Sequence, residues 1–256
     1  FRRWTDSITP PLTRSERIAL QDDLETGSKP SFEFLGLISA ASMLAAFGLL
    51  QNSAAVIIGA MLIAPLMTPI LGAGMAITLG NKPLFKSAFA AIVLGFVGAF
   101  TSSALFGLLV LMCESPDLTP KRATEMWARC NPSPIDFCVG FVGGMAAAYA
   151  RTRSYLSSAL AGAAIAAALV PPISTAGLQF VFGVWEPVRA GTPVLGPLLV
   201  VSINVLTIMV GSAFVLWMRG IRARSGELRK QDRWAVGVVV VLIAVSLLVF
   251  AGVLRT

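Results

Sequence analysis

Not one histidine occurs among the 256 residues, and the three cysteines, Cys113, Cys130 and Cys138, form no CxxC pair. The first absence excludes imidazole acid–base catalysis. Together the two argue against a zinc site. Charge is scarce as well: 13% of residues are charged, against roughly a quarter in a soluble domain. GxSxG, Walker and GxGxxG arrangements are all missing, which removes the sequence grounds for a hydrolase, an ATPase or a nucleotide binder. The chain is therefore expected to be no enzyme and to use no cofactor or metal.

Long apolar runs are what the sequence has instead. Hydrophobic residues make up 56% of it, gathered at Phe32 to Gln51, Ala54 to Leu79, Leu84 to Met112, Ile135 to Ala150, Ser154 to Phe180, Val194 to Met218 and Trp234 to Leu254. Most approach or exceed the ~20 residues that cross a bilayer's hydrocarbon core. The runs are continuous rather than alternating, and in lipid only helices or closed barrels satisfy the backbone, so helices are predicted. The expected fold class is all-α, a polytopic integral membrane protein with seven transmembrane helices.

The net charge of +7 is informative through its placement. With a cytoplasmic amino terminus, the inside segments hold Arg2, Arg3, Arg14, Arg17, Lys29, Lys82, Lys86, Arg151, Arg153, Arg219, Arg222, Arg224, Arg229, Lys230 and Arg233. The outside segments keep Lys121, Arg122, Arg129, Arg189 and Arg255. This asymmetry sets the orientation, carboxyl terminus outside, and leaves nucleic-acid binding with nothing to explain. The Arg219 to Arg233 cluster reads as a topology signal that could also meet anionic lipid headgroups.

The chain opens at Phe1 with no charged-then-apolar cleavage pattern, so no signal peptide is expected, and an upstream segment is. Within residues 1–30, "TRSERIALQDDLETGSKP" suits a short interfacial helix. Cys113 and Cys130 bracket the longest outside loop, where an oxidising compartment would permit a disulfide.

Two spans carry interruptions. "IIGAMLIAPLMTPILGAG" (57–74) holds Pro65 and Pro69, and "LAGAAIAAALVPPISTAG" (160–177) holds Pro171 and Pro172. Sliding one against the other by 103 residues aligns Gly59, Pro69, Ile70, Ala73 and Gly74 with Gly162, Pro172, Ile173, Ala176 and Gly177. The same offset aligns Glu33 and Phe34 with Asp136 and Phe137. Two three-span repeats are predicted, 31–112 and 135–218, joined by an outside loop 113–134 and followed by a basic loop 219–233 and one extra terminal helix within 234–256. Three crossings are odd, so the second copy is inverted. Such folds place their site near the midplane, between discontinuous helices. Here the second and fifth helices are expected to break at their prolines, freeing carbonyls.

The predicted binding residues are Thr68, Pro69, Pro172, Ser174, Thr175 and Asn204, around a small solute or ion. Asn204 is singled out because an amide among apolar neighbours needs a partner or a water-lined cavity. Asn52 and Asp136 are secondary candidates. The small-residue faces "GFVGGMAAAYA" and "SSALAGAAIAAALV" suit close helix packing and predict a homodimer.

The stretches "GLLQNSAAVIIGAMLIAPLMTPI", "ARCNPSPIDF" and "AGAAIAAALVPPISTAG", in that order, resemble the prokaryotic membrane family DUF389, a domain of unknown function. The resemblance covers roughly Ser31 to Met218. It implies a multi-pass protein of the cytoplasmic (inner) membrane, and it singles out Asn52, Pro65, Pro69, Asn131, Pro132, Asp136, Pro171, Pro172 and Asn204 as matching the family's pattern. Three function classes follow: a secondary transporter or channel-like protein, a membrane scaffold or assembly factor, and, weakest, a membrane-embedded lipid enzyme. The last lacks converging carboxylates or reactive cysteines at membrane depth.

Overall fold

The computed structural model describes residues 12–113, 123–130, 133–153, 158–185 and 194–221, together with Gly237. Every regular element among the described residues is helical: α1 (Arg14–Gly27), α2 (Phe32–Leu50), α3 (Ala54–Ile63), α4 (Met67–Leu79), α5 (Lys82–Met112), α6 (Thr124–Trp127), α7 (Pro134–Arg151), α8 (Ser158–Trp185) and α9 (Leu195–Met218).

Polar caps punctuate the apolar runs. Thr13 and Glu16 form a reciprocal capping box on α1, and Ser133 and Asp136 form another on α7. Ser31, Ser53 and Asn81 each accept an amide hydrogen bond at the start of α2, α3 and α5. Each of these side chains satisfies a donor that the helix itself leaves orphaned. At the other ends, Gly80 and Gly220 take left-handed φ values of 66° and 82°. The following amides, of Asn81 and Ile221, reach back to the carbonyls of Ala76 and Leu216. That is the Schellman closure, which favours glycine at the left-handed position.

Of the seven predicted spans, α2, α5 and α9 are long and apolar enough to cross a membrane, and α3 with α4 makes a fourth if the bent pair counts as one. Helices α7 and α8 stand where spans four and five were expected. The predicted seventh span, Trp234 to Leu254, lies outside the described residues but for Gly237. Large apolar side chains point outward in stripes: Ile58, Leu62 and Ile63 on α3, Phe89, Val93, Val97 and Leu105 on α5, Val139 and Val142 on α7, Phe214 and Trp217 on α9. A water-soluble monomer rarely exposes such contiguous apolar faces, whereas lipid accommodates them. This is a helical membrane protein.

The main core runs through α2, α4, α5, α8 and α9, and includes Ile38, Leu66, Ile70, Met75, Ala91, Ile173 and Ile208. A second cluster gathers Leu49, Ile57, Met126, Leu178 and Phe182 around α6. Helix α1 lies against α4 through Leu20 and Leu24, both buried.

The two proline interruptions differ, and here an expectation fails. Ala64, before Pro65, is extended at φ −71°, ψ 121°, because the proline ring disfavours a helical residue ahead of it. The chain therefore breaks at 64–66, and α4 continues at 54° to α3. Pro69 lies in the first turn of α4, where its missing amide hydrogen would have had no intrahelical partner. By contrast α8 is continuous through Pro171 and Pro172. The fifth span is not broken. Its helix still loses the two amide donors that would have bonded the carbonyls of Ala167 and Ala168, but the residues from Leu169 to Gln179 are all buried, and tight packing holds the backbone helical.

Candidate functional site

The proline-bearing stretch of α8 carries four of the predicted residues, and its side chains divide between two faces. Ser174 donates its hydroxyl to the carbonyl of Ser42 on α2 at 3.2 Å. Ser103 on α5 donates to the same oxygen at 3.3 Å. One carbonyl thus ties α2, α5 and α8 together, and Ser174 faces that seam.

The other face holds Pro171, Pro172, Thr175 and Gln179, which a 3.6-residue turn places within about 100° of arc. Thr175 is fully buried and its Oγ1 meets no hydrogen-bond partner. Gln179, 2% exposed, donates from Nε2 to the Cys130 sulfur at 2.8 Å, while its Oε1 has no donor. A buried polar atom without a partner costs about 1–3 kcal/mol. Two of them stand one turn apart on this face, beside two prolines.

Other predicted residues lie elsewhere. Thr68 accepts from Arg151 Nη2 at 2.8 Å, and Arg151 Nη1 meets Asp23 at 2.8 Å. Thr68 thereby joins α4 to the ends of α7 and α1. Pro69 is buried in α4. Asn204, 2% exposed, lies on the α7–α9 seam, its Oδ1 3.4 Å from where a Cβ on Gly140 would stand. Thr207 Oγ1 donates to the Asn204 carbonyl at 3.0 Å. Of the six residues expected around one ligand, Thr68 and Pro69 lie on α4, Pro172, Ser174 and Thr175 on α8, and Asn204 on α9.

The secondary candidates serve local structure. Asn52 takes φ 55° between α2 and α3 and accepts from Thr124 Oγ1 and Glu125 N at 3.0 and 3.1 Å, latching α6. Asp136 is the capping partner of Ser133. Cys113, Cys130 and Cys138 are all free thiols, so the anticipated Cys113–Cys130 bridge is not formed. Cys130 is turned towards Gln179 and the Met126 carbonyl, and burial pushes its thiol pKa up, against the lowering effect of the Gln179 hydrogen bond. Asn131 and Pro132 lie outside the described residues.

Two glycines set how closely the helices approach. A side chain on Gly74 in α4 would run into Ser212, the Met209 carbonyl and the Ala213 amide of α9. One on Gly177 in α8 would run into the Phe100 carbonyl, Ser103 and the Ala104 amide of α5. Each meets the same kind of socket: a carbonyl, then a Ser-Ala pair three and four residues on.

The family model described as "Domain of unknown function (DUF389)" matches residues 61–210, more than half of the chain. The chain belongs to this family. The DUF389 match begins within α3 and ends within α9, so it contains the break, the α8 face and the Gly177 socket. An uncharacterised protein of Methanocaldococcus jannaschii is 24% identical over 204 residues, which are 79% of this chain and 60% of that protein. The chain thus spans less than two thirds of that relative's length. No solved structure matches.

Sequence reasoning about this DUF389 chain passed over Ser42 and Ser103, although serines inside apolar spans carry the same signal that singled out Asn204. The partner of Gln179, Cys130, is 49 residues away, beyond any local pattern.

Proposed function

We propose that this chain is a secondary transporter or channel-like protein for a small solute or ion, with its binding groups on the Thr175–Gln179 face of α8. The observation that carries the reading is the pair of buried oxygens, Thr175 Oγ1 and Gln179 Oε1, without hydrogen-bond partners beside the two prolines. Polar groups at membrane depth are expensive and default to a functional role. Oxygen atoms suit a cation, or a solute that donates hydrogen bonds.

The proposed architecture is two inverted halves, α2, α3–α4 and α5 against α7, α8 and α9. Its support is reciprocal packing: α4 inserts Gly74 against α9, and α8 inserts Gly177 against α5. The Ser-Ala sockets sit 109 residues apart, while the glycines sit 103 apart. The difference matches the longer connection between α8 and α9 than between α4 and α5. We place the amino terminus and the Arg151–Arg219 end on the cytoplasmic side of a prokaryotic cytoplasmic membrane, from the division of basic residues.

The deciding experiment is flux through liposomes containing the full chain, with sodium, potassium, protons and small organic anions as the panel. Wild type should move at least one of them. Thr175→Val should abolish that flux and raise thermal stability by relieving an unsatisfied hydroxyl, whereas Ser174→Ala should retain flux. Unchanged flux in Thr175→Val, or silence towards the whole panel, overturns the reading. The second reading, a scaffold, is favoured by the dense burial of α4 from Pro69 to Ile77 and of α8 from Leu169 to Gln179. Under it, Thr175→Val would gain stability and nothing else would change.

A further inference from the structure

We propose, resting on the transport reading of α8, that its ligand is a dehydrated alkali-metal cation, held by oxygen acceptors along the stripe of Ala168, Pro172, Thr175 and Gln179. Each of these positions is three or four residues from the last, so together they fall within about 60° of helix arc. Gly177, on the opposite side of α8, meets Phe100 and Ser103 of α5, and Ser174 meets the Ser42 carbonyl of α2. The stripe therefore turns away from α5, on a helix that also packs against α7 and α9.

What the stripe leaves unsatisfied is oxygen. Pro171 and Pro172 have no amide hydrogen, so the carbonyl of Ala168, and that of Ala167 beside it, lose the donors a helix would give them. Thr175 Oγ1 and Gln179 Oε1 are buried without partners. The donors are already committed: Gln179 Nε2 goes to the Cys130 sulfur, and the amides of a continuous helix bond its own carbonyls. An anion would find no amide to bind there, whereas carbonyl and hydroxyl oxygens can replace the hydration shell of a cation.

The surroundings fix the charge of that cation. Neither α8 nor α9 contains a charged residue, and the charges of α7 are Asp136 in its first turn and Arg151 in its last. Divalent ions draw on carboxylate oxygens to offset their larger desolvation cost. Neutral oxygens alone match a singly charged ion. From Ala168 to Gln179 the stripe covers about 16 Å of helix, so its acceptors form a ladder along which an ion can pass rather than one closed cage.

The test is binding at equilibrium, kept separate from flux. The full chain, purified in detergent, is titrated with sodium chloride and with potassium chloride against choline chloride at matched ionic strength, with magnesium chloride as the divalent comparison, and the unfolding midpoint is read. Sodium or potassium should raise the midpoint saturably where choline does not. Thr175→Val and Gln179→Leu should each weaken the apparent affinity about tenfold, roughly one lost interaction with a charged group. Pro172→Ala, which returns an amide donor to the Ala168 carbonyl, should weaken it as well, although no side-chain oxygen changes. Thr175→Ser and Ser174→Ala should respond as wild type does, and the cation-free midpoint shows that each variant is folded. Saturable binding without flux upholds the cation site and removes the transport reading, whereas flux of an organic anion with no alkali-cation response does the reverse. No response beyond that to choline, an equal response to magnesium, or undiminished responses in both Thr175→Val and Pro172→Ala refute the site.

Discussion

Ser103 and Ser174, on different helices, donate their hydroxyls to one acceptor, the carbonyl of Ser42. Interhelical hydrogen bonds of this kind contribute about 0.6 kcal/mol on average in membranes. Ser103→Ala and Ser174→Ala should each lower stability by about that amount. The double variant should exceed the sum, because the carbonyl keeps one donor in either single variant and loses both only in the double. Reversible unfolding in detergent, read as a double-mutant cycle, checks this, and strict additivity would contradict the shared acceptor.

Gly177 and Gly143 should respond in opposite directions to alanine. A Cβ at Gly177 would stand 2.5 Å from the Phe100 carbonyl oxygen, whereas one at Gly143 meets nothing within 4 Å. Gly177→Ala should therefore destabilise by about 1–3 kcal/mol through overpacking, while Gly143→Ala should gain up to about 1 kcal/mol from helix propensity. Thermal melts of the two purified variants make the comparison.

Glu16 gives a pH dependence. The Thr13 amide and then the Thr13 hydroxyl hold its carboxyl pKa below the ordinary 4.5, with Arg219 and Arg153 adding to the effect. Because the folded-state pKa is the lower one, this stabilisation is present above the unfolded value and disappears as pH falls through the folded value. The stability gap between wild type and Glu16→Ala should be constant near neutrality and shrink below about pH 4.5. A gap that widens on acidification would reverse the assigned sign.

The thiols should separate by reactivity. Cys113 is exposed, whereas Cys130 is half-buried and its thiol is held protonated above the usual 9.0 by burial. Thiolate is the attacking species. A water-soluble maleimide at pH 7.5 should modify Cys113 well before Cys130, and Gln179→Leu should raise the Cys130 pKa further by removing the one hydrogen bond that lowers it. Mass mapping of partly labelled protein reads out the order.

How much of this was legible beforehand depends on whether a residue's fate is settled locally. The break at 64–66 was, because a residue ahead of proline is pushed out of the helical region by its own neighbour. Pro171 and Pro172 carried the same local instruction, yet packing along Leu169 to Gln179 overruled it. The helix starts at Ser31 and Ser133 were likewise local, set by side chains capping amides three residues on. Partners distant in sequence were not legible: Thr68 meets Arg151, 83 residues away, and nothing near Thr68 announces it. The family resemblance is borne out by the match over residues 61–210. Asn204 faces Gly140 across the α7–α9 seam, a neighbour distant in sequence that no local pattern announces.

The socket that receives Gly74 has a consequence for biosynthesis. Its partner residues on α9 emerge about 135 residues later, which at 5–20 residues per second is a delay of roughly 7–27 s. Through that interval α4 lies in the membrane with its close-packing face uncovered. Any insertion machinery or chaperone that shields half-made membrane proteins would find its substrate there, and the chain would release it only when α9 arrives.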